Sequence, residues 1–279
     1  MDYKTLADAG NETYSLGKRP QIQYPQGEEV EWYGFKRHNF QVAGCNAFIV
    51  EPPNPAPGLP WCWCLQWAEA FVPRTPALKL LERGFHHVHI DVFSTYMNPD
   101  GIRKVEAFYE LLQGLGFHKK AALIGLSYGG LFSFRYAAEH PETVGVIYAD
   151  APLCRFDIIP EKGTGSFAPN LLKFFEEATA NHAAAYGVTI DELAAHPLAP
   201  INNMSAIAKA KIPVLAIRSG QDQSVIPEKN IDLVAEALEK EGGNIEILRR
   251  DLWGHHPHGL DDPRPLVDFI LQYYPPFEK

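Results

Sequence analysis

The chain has 279 residues, of which 46% are hydrophobic and 21% are charged. These values are ordinary for a globular protein, and the length suits one α/β domain with an insertion better than two domains. The net charge of −9 argues against nucleic acid or an anionic membrane surface as a partner. Composition alone selects no substrate and no oligomeric state.

Residues 1–20 are not expected to be a signal peptide. Residues 1–20 are polar and lack the apolar core of a signal peptide. No run in the chain approaches the ~18 apolar residues of a membrane-spanning helix. The expected location is therefore the cytoplasm, or the periplasm or exterior if a leader has been removed.

Residues 1–27 are polar and irregular, so we expect an arm across the surface. From Val30 to Glu51, aromatic and β-branched residues alternate with polar ones, which predicts two antiparallel edge strands. Apolar strands and helices then alternate along the chain. The predicted strands are 60–66, 85–91, 121–125, 144–149, 212–218 and 245–250, and the predicted helices outside 151–210 are 75–83, 99–115, 128–140, 227–241 and 263–273.

This alternation predicts a mostly parallel sheet of about eight strands with helices on both faces. Residues 151–210 interrupt it, because they carry helical patterns and no strand signal. We expect them to form a helical cap, inserted after the sixth strand. Residues 28–150 and 211–279 would then form the α/β core.

The strand at 121–125 runs directly into Gly125-Leu126-Ser127-Tyr128-Gly129, a G-x-S-x-G motif followed by a helix. A sharp turn between strand and helix holds its central serine in a strained backbone conformation, and glycines at both ends avoid steric collision. The serine hydroxyl then lies at a helix N-terminus, where free N–H groups stabilise a developing oxyanion. Ser127 is the candidate nucleophile.

A nucleophilic serine needs a base, and the base needs an orienting carboxylate. Asp222 is the favoured acid, since it follows an apolar strand and lies between the serine and a histidine cluster. Asp150, at the end of the strand after the motif, is the alternative acid. His255 is the favoured base and His256 the alternative, both directly after the last predicted strand.

The oxyanion hole needs two N–H donors. Tyr128, the residue after the nucleophile, is one candidate, and Trp67 in the loop after the strand 60–66 is the other, with Ala68 as its neighbour. Trp67 is equally suited to form a wall of the pocket. Gln66 and His258 are assigned to the substrate pocket, with a structural role as the alternative for His258.

The pattern predicts neither a metal site nor a cofactor. The histidine-rich segment H-H-x-H lacks the helical i, i+4 spacing of a zinc protease and has no carboxylate at ligand spacing. The four cysteines also lack ligand spacing, and buried free thiols are expected for Cys45, Cys62, Cys64 and Cys154.

With these motifs the chain resembles the α/β-hydrolase fold superfamily from about Val30 to Tyr274. The resemblance rests on GLSYGG at 125–130, GQDQSVIP at 220–227 and LWGHH at 252–256. It implies that Ser127, Asp222 and His255 form a catalytic triad and that residues 151–210 form the cap.

The C-terminal segment GHHPHGLDDPRPLVDFI is also similar to a bacterial subgroup found near polysaccharide-degrading enzymes. That resemblance implies a carbohydrate esterase, which would remove acetyl or methyl ester groups from glycans. The chain departs from the subgroup at Tyr128, where an arginine is expected, and this departure puts a uronate-binding role for that position in doubt.

The expected function is a serine esterase acting on a small-molecule or glycan ester through an acyl-enzyme. The same triad also catalyses the cleavage of amide, thioester or carbon–carbon bonds, so these reactions are alternatives to ester hydrolysis. A binding protein with an inactive site is the alternative from another class. It would require a triad member to be missing or out of reach.

Overall fold

The computed structural model describes residues 22–157 and 169–275. Its centre is one sheet with the strand order β1-β2-β3-β5-β4-β6-β7-β8-β9. The strands, in chain order, are β1 (Glu28–Trp32), β2 (Phe35–Val42), β3 (Cys45–Glu51), β4 (Trp61–Cys64), β5 (His86–Ile90), β6 (Ala121–Leu126), β7 (Val144–Asp150), β8 (Val214–Ser219) and β9 (Ile245–Arg250). The pairs β1–β2, β2–β3 and β3–β5 are antiparallel, and the other neighbours are parallel.

Eight α-helices occur within the described ranges. They are α1 (Ala77–Glu82), α2 (Pro99–Gly114), α3 (Tyr128–Glu139), α4 (Pro169–Tyr186), α5 (Ile190–Ala194), α6 (Met204–Lys209), α7 (Ile231–Lys240) and α8 (Arg264–Tyr273). None of these described helices combines the length and the apolar character needed to cross a membrane.

The predicted fold class, a mostly parallel sheet with helices on both faces, is confirmed. The strand count differs, because residues 30–51 contribute to three strands where two were predicted. Tyr33 and Gly34 both adopt positive φ (51° and 82°) and form the tight turn between β1 and β2. The helical insertion therefore follows the seventh strand and not the sixth.

The central strands β4, β6, β7 and β8 are buried along their whole length. Alternate side chains of β4 and β6 enter two separate cores, one on each face of the sheet. Trp61 and Trp63 pack in the core beneath α2 and α3, while Cys62 and Cys64 pack in the core beneath α1 and α8. This two-sided burial is the reason that these strands read as continuous apolar runs.

All four cysteines are free, and three of them are buried as predicted, whereas Cys45 is only half-buried. The predicted helix at 227–241 is interrupted. Pro227–Lys229 forms a 3₁₀ turn, and Asn230 (φ −126°, ψ −93°) separates it from α7. The Asn230 side chain accepts a hydrogen bond from the Cys154 N–H (2.9 Å) and thereby ties the start of the insertion to the core.

Helices α4, α5 and α6 lie in the segment 151–210, whose described part contains no strand. The end of α4 is fixed to the loop after β5, since the Tyr186 hydroxyl donates to the Met97 carbonyl (2.8 Å). Residues 1–21 of the predicted arm lie outside the described residues. The division into arm, core and cap stays a prediction.

His182, on α4, is fully buried, and neither ring nitrogen has a hydrogen-bond partner among the described residues. Its ring stacks on Tyr96 at 5.0 Å and packs against Phe156 at 4.4 Å. Burial, with a smaller effect of His196, lowers the pKa of His182 to about 3. The imidazole is therefore neutral in the folded protein.

We expect His182→Phe to reduce the acid sensitivity of the fold. In the unfolded chain the histidine binds a proton below about pH 6.5, whereas in the folded chain it does so only near pH 3, so acid favours unfolding. Wild type should lose up to about 2 kcal/mol of unfolding free energy through this group between pH 6.5 and 5. Melting temperatures at pH 7 and 5 test this; equal losses in both proteins would contradict it.

Candidate active site

Ser127 occupies the turn between β6 and α3 with φ 51° and ψ −114°, a conformation that non-glycine residues rarely adopt. Its carbonyl accepts hydrogen bonds from the N–H groups of Gly130 (2.9 Å) and Leu153 (3.0 Å). A side chain at Gly125 would place Cβ 2.7 Å from the Gly129 carbonyl oxygen. The motif glycines are thus required by close backbone approach, and the turn presents the serine hydroxyl at the start of α3.

The structure brings the three favoured residues into one hydrogen-bonded chain. The Oγ of Ser127 lies 3.0 Å from His255 Nε2, and His255 Nδ1 lies 2.7 Å from Asp222 Oδ2. An ionised carboxylate only accepts hydrogen bonds, so Nδ1 carries the proton and Nε2 is left to accept from the serine hydroxyl. This is the arrangement that general-base activation of a serine needs.

Asp222 is held in place by its own loop. It is 5% exposed, and its Oδ1 accepts the N–H groups of Ser224 (2.9 Å) and Val225 (2.8 Å). Gly220 allows this loop to touch the histidine loop, because a Cβ there would lie 2.6 Å from the Asp251 carbonyl oxygen. The carboxylate therefore reaches His255 in a fixed orientation.

Asp150, the alternative acid, contacts a different histidine. Its Oδ1 lies 3.0 Å from His258 Nδ1 and 3.0 Å from Arg250 Nη2, and its Oδ2 accepts from the Gly259 N–H and the Tyr148 hydroxyl. Burial opposes its ionisation, but His258 and Arg250 hold the pKa of Asp150 below its ordinary value. The geometry makes it the anchor of the histidine loop, with Asp222 as the partner of His255.

Arg250 is a residue of the site that the sequence did not reveal. Besides Asp150, its guanidinium donates to the carbonyls of Pro257 (3.1 Å) and Gly259 (2.8 Å) and to the Ser219 hydroxyl (2.9 Å). It thereby shapes the loop that carries His255. Arg250 is the last residue of the predicted strand 245–250, and no local motif distinguishes it.

His256 does not bond to Ser127 or Asp222. It is exposed and its ring stacks on Phe71 at 5.4 Å. Partial desolvation of the ring, followed by the effects of His255 and His258, lowers the pKa of His256. The ligand nitrogens of the three histidines lie within 4.8 Å of one another, a spacing that could hold a metal ion. Such an ion would compete with the contacts of His255 and His258 to Asp222, Ser127 and Asp150.

The two candidate oxyanion donors lie beside the nucleophile. The N–H of Tyr128 is the first of α3 and has no acceptor within the helix. The loop that carries Trp67 lies against α3, since a Cβ at Gly129 would be 2.9 Å from the Gln66 carbonyl oxygen. Trp67 also lines the pocket, so its side chain forms part of the wall.

Ser127 opens into a cavity of about 340 Å³ whose lining is mostly apolar. The lining includes four of the residues considered above, Trp67, Tyr128, His256 and His258, together with His255. The rest of the apolar lining consists of Ala70, Phe71, Leu153, Phe174, Phe175 and Val225. Gln66 lines an adjoining cavity that shares Trp67 and Ala70 with this one.

A family model for the alpha/beta hydrolase fold matches residues 102–184, which include the serine motif. No curated protein matches the chain. Among solved structures, a Pyrococcus furiosus esterase, Pf2001, matches with a TM-score of 0.59 at 16% identity over 90% of this chain and 100% of that one.

Peptidases match as well. A Pyrococcus horikoshii acylaminoacyl peptidase has a TM-score of 0.61 at 12% identity, covering 100% of this chain and 45% of that one. Porphyromonas gingivalis dipeptidyl peptidase 4 matches with a TM-score of 0.57 at 15% identity, covering 90% of this chain and 36% of that one. The chain thus spans less than half the length of these peptidases. The chain has the α/β-hydrolase fold, as the resemblance implied.

We expect Gly129→Ala to impair turnover without unfolding the protein, because the new Cβ would displace the loop that carries Trp67. Loss of one oxyanion donor typically costs about 10²-fold in kcat. Turnover of a 4-nitrophenyl ester measures the effect. Gly114→Ala, in α2 with open space around the new Cβ, is the matched control and should behave as wild type. Equal turnover in the two variants would contradict this placement.

Proposed function

We propose that the protein is a serine hydrolase that cleaves carboxylic esters through an acyl-enzyme. The observation that carries the proposal is the continuous chain from Ser127 Oγ through His255 to Asp222, with distances of 3.0 Å and 2.7 Å. The same chain argues against an inactive binding protein, which requires a triad member out of reach.

In the proposed reaction, His255 Nε2 takes the hydroxyl proton as Ser127 Oγ attacks the ester carbonyl. Asp222 holds the ring in the required tautomer and stabilises the imidazolium that forms. The N–H groups of Tyr128 and Trp67 stabilise the oxyanion. When the intermediate collapses, the C–O bond of the ester breaks and His255 protonates the departing alcohol. Water then attacks the acyl-enzyme by the same steps and releases the acid.

The finer proposal is a carbohydrate esterase that removes small acyl groups. The resemblance of the C-terminal segment supports it, and so does the modest size of the apolar cavity around Ser127. Tyr128 is buried and aromatic, with its ring edge-to-face on Phe93 at 5.4 Å, so this position offers no cation to a uronate. Acetyl esters of sugars therefore fit the site better than methyl esters of uronates.

The role of the base is tested by comparing His255→Ala with His256→Ala on 4-nitrophenyl butyrate. We expect the first substitution to lower kcat by about 10⁴-fold and the second to leave most of the activity. Similar losses in both variants would contradict the assignment. Matched ester, thioester and anilide substrates decide the bond type, and a wild type that prefers the anilide would overturn the esterase proposal.

Phe174 and Phe175, which come from α4, line the cavity, and we expect them to shape the acyl pocket. Leu172 was also expected to shape the pocket but does not line the cavity, and the side chain of Leu171 and residue Phe167, expected to do the same, lie outside the described residues. Phe174→Ala should enlarge the pocket and raise the octanoate-to-acetate ratio of kcat/KM by about tenfold. Leu172→Ala, on the same helix but outside the cavity lining, is the control. An unchanged ratio for Phe174→Ala would count against a pocket role.

A further inference from the structure

A second cavity, of about 670 Å³, adjoins the catalytic one and shares Trp67 and Ala70 with it. We call it the polar groove. Its polar lining comes from β1, β2, β3 and β5 and from the loops that follow β4 and β5: Glu28, Arg37, Asn39, Asn46, Gln66, Glu69, His89 and Asp91. No step of the proposed reaction uses these side chains, so the groove is available for a part of the substrate away from the scissile bond.

The polar side chains of the groove are held in place before any ligand binds. The Arg37 guanidinium lies 3.9 Å above the Phe48 ring, donates to the Asn39 side-chain oxygen (2.7 Å) and pairs with Glu69. The other oxygen of Glu69 accepts from the Trp32 indole N–H (2.8 Å). Such preorganisation lowers the entropy cost of recognising a polar ligand.

Two groups of the groove retain unused acceptors. His89 Nδ1 donates to the Cys64 carbonyl (2.7 Å), and burial lowers the pKa of His89, so its Nε2 keeps a free lone pair. Gln66 is 93% buried, and its Oε1 has no partner among the described residues. Acceptors of this kind are satisfied by ligand hydroxyl groups, which donate one proton each.

The charge of the groove selects among hydroxylated ligands. Glu28, Glu69 and Asp91 bring three formal negative charges, against one positive charge on Arg37. Arg37 is already paired with Glu69. A neutral ligand is therefore favoured over an anionic one, because a further carboxylate would meet like charges without a free cation.

The lining also offers flat apolar surface. Trp67 supplies this surface and is 37% exposed at the boundary between the two cavities, whereas Phe40 and Phe48 line the groove at only 7% and 3% exposure. Aromatic faces next to fixed hydrogen-bonding groups suit a ring that has both C–H faces and hydroxyl edges. A neutral sugar ring has this combination.

We propose that the polar groove binds a neutral sugar ring, the alcohol portion of the ester substrate, while the apolar cavity holds the acyl group. This inference rests on the proposed function. In the reaction the acyl group passes from the sugar oxygen to Ser127 Oγ, the sugar C–O⁻ takes the proton from His255, and water later releases the acid. The groove thus distinguishes acylated neutral sugars from acylated uronates.

The test uses the 3-O-acetyl esters of methyl glucoside and methyl glucuronide, with 4-nitrophenyl acetate as the reference ester. Wild type should have a kcat/KM at least about tenfold higher for the neutral sugar ester than for the anionic one. Arg37→Met should lower the ratio of kcat/KM for the glucoside ester to kcat/KM for the reference ester by about tenfold, because Arg37 no longer fixes Asn39 and Glu69 in the groove. Asn39→Ala supplies the same comparison if Arg37→Met does not fold.

Lys36→Met is the matched control. Lys36 precedes Arg37 on the same strand, points to the opposite face and does not line the groove. The proposal would be overturned if Arg37→Met and Asn39→Ala both left the ratio of glucoside-ester to reference-ester kcat/KM unchanged, or if wild type hydrolysed the two sugar esters at equal rates.

Calorimetric titration of Ser127→Ala with the glucoside ester tests binding to the groove apart from catalysis. Binding that is weakened by adding Arg37→Met supports the proposal, and no binding contradicts it. If wild type did not hydrolyse 4-nitrophenyl acetate at all, that result would instead contradict the proposed esterase function.

Discussion

The site depends on a single steric constraint, the positive-φ backbone conformation of Ser127 between a buried strand and a helix. The turn is possible only because glycines at both sides let β6, α3 and the segment after β7 approach within backbone contact. The conformation is costly, by roughly 1–3 kcal/mol for a non-glycine residue, and the surrounding burial must offset that cost. This strained turn presents the Ser127 hydroxyl at the N-terminus of α3, 3.0 Å from Nε2 of His255, which lies 128 residues further along the chain.

That histidine is positioned by two buried carboxylates with separate tasks. Asp222 bonds to His255 directly, whereas Asp150 and Arg250 hold the loop around it through His258, Gly259 and Pro257. The Asp150–Arg250 pair is almost fully buried, so each charge is compensated by a fixed partner and not by water. In the proposed reaction, this rigid histidine loop keeps the imidazole in one orientation while Ser127 loses its proton.

Much of the architecture was predictable because strong local signals coincide with the elements. Continuous apolar runs predicted the buried strands, and G-x-S-x-G between a strand and a helix predicted the turn at Ser127. The edge was less predictable, since the Tyr33-Gly34 turn that separates β1 from β2 lies inside an unbroken strand-like pattern. Sequence position alone could not decide whether Asp222 or Asp150 contacts His255, because both lie at or shortly after the ends of strands of the same sheet. The role of Arg250 and the polar groove arise from residues far apart in the chain, and no local pattern contains them.

The central claim is that Ser127 is an activated nucleophile, and covalent labelling with a fluorophosphonate tests it most directly. The account predicts one adduct per chain by intact mass in the wild type and none in Ser127→Ala. An adduct that persists in Ser127→Ala would place the nucleophile elsewhere. A folded wild-type protein that forms no adduct would show that the hydrogen-bonded chain of Ser127, His255 and Asp222 does not activate the serine.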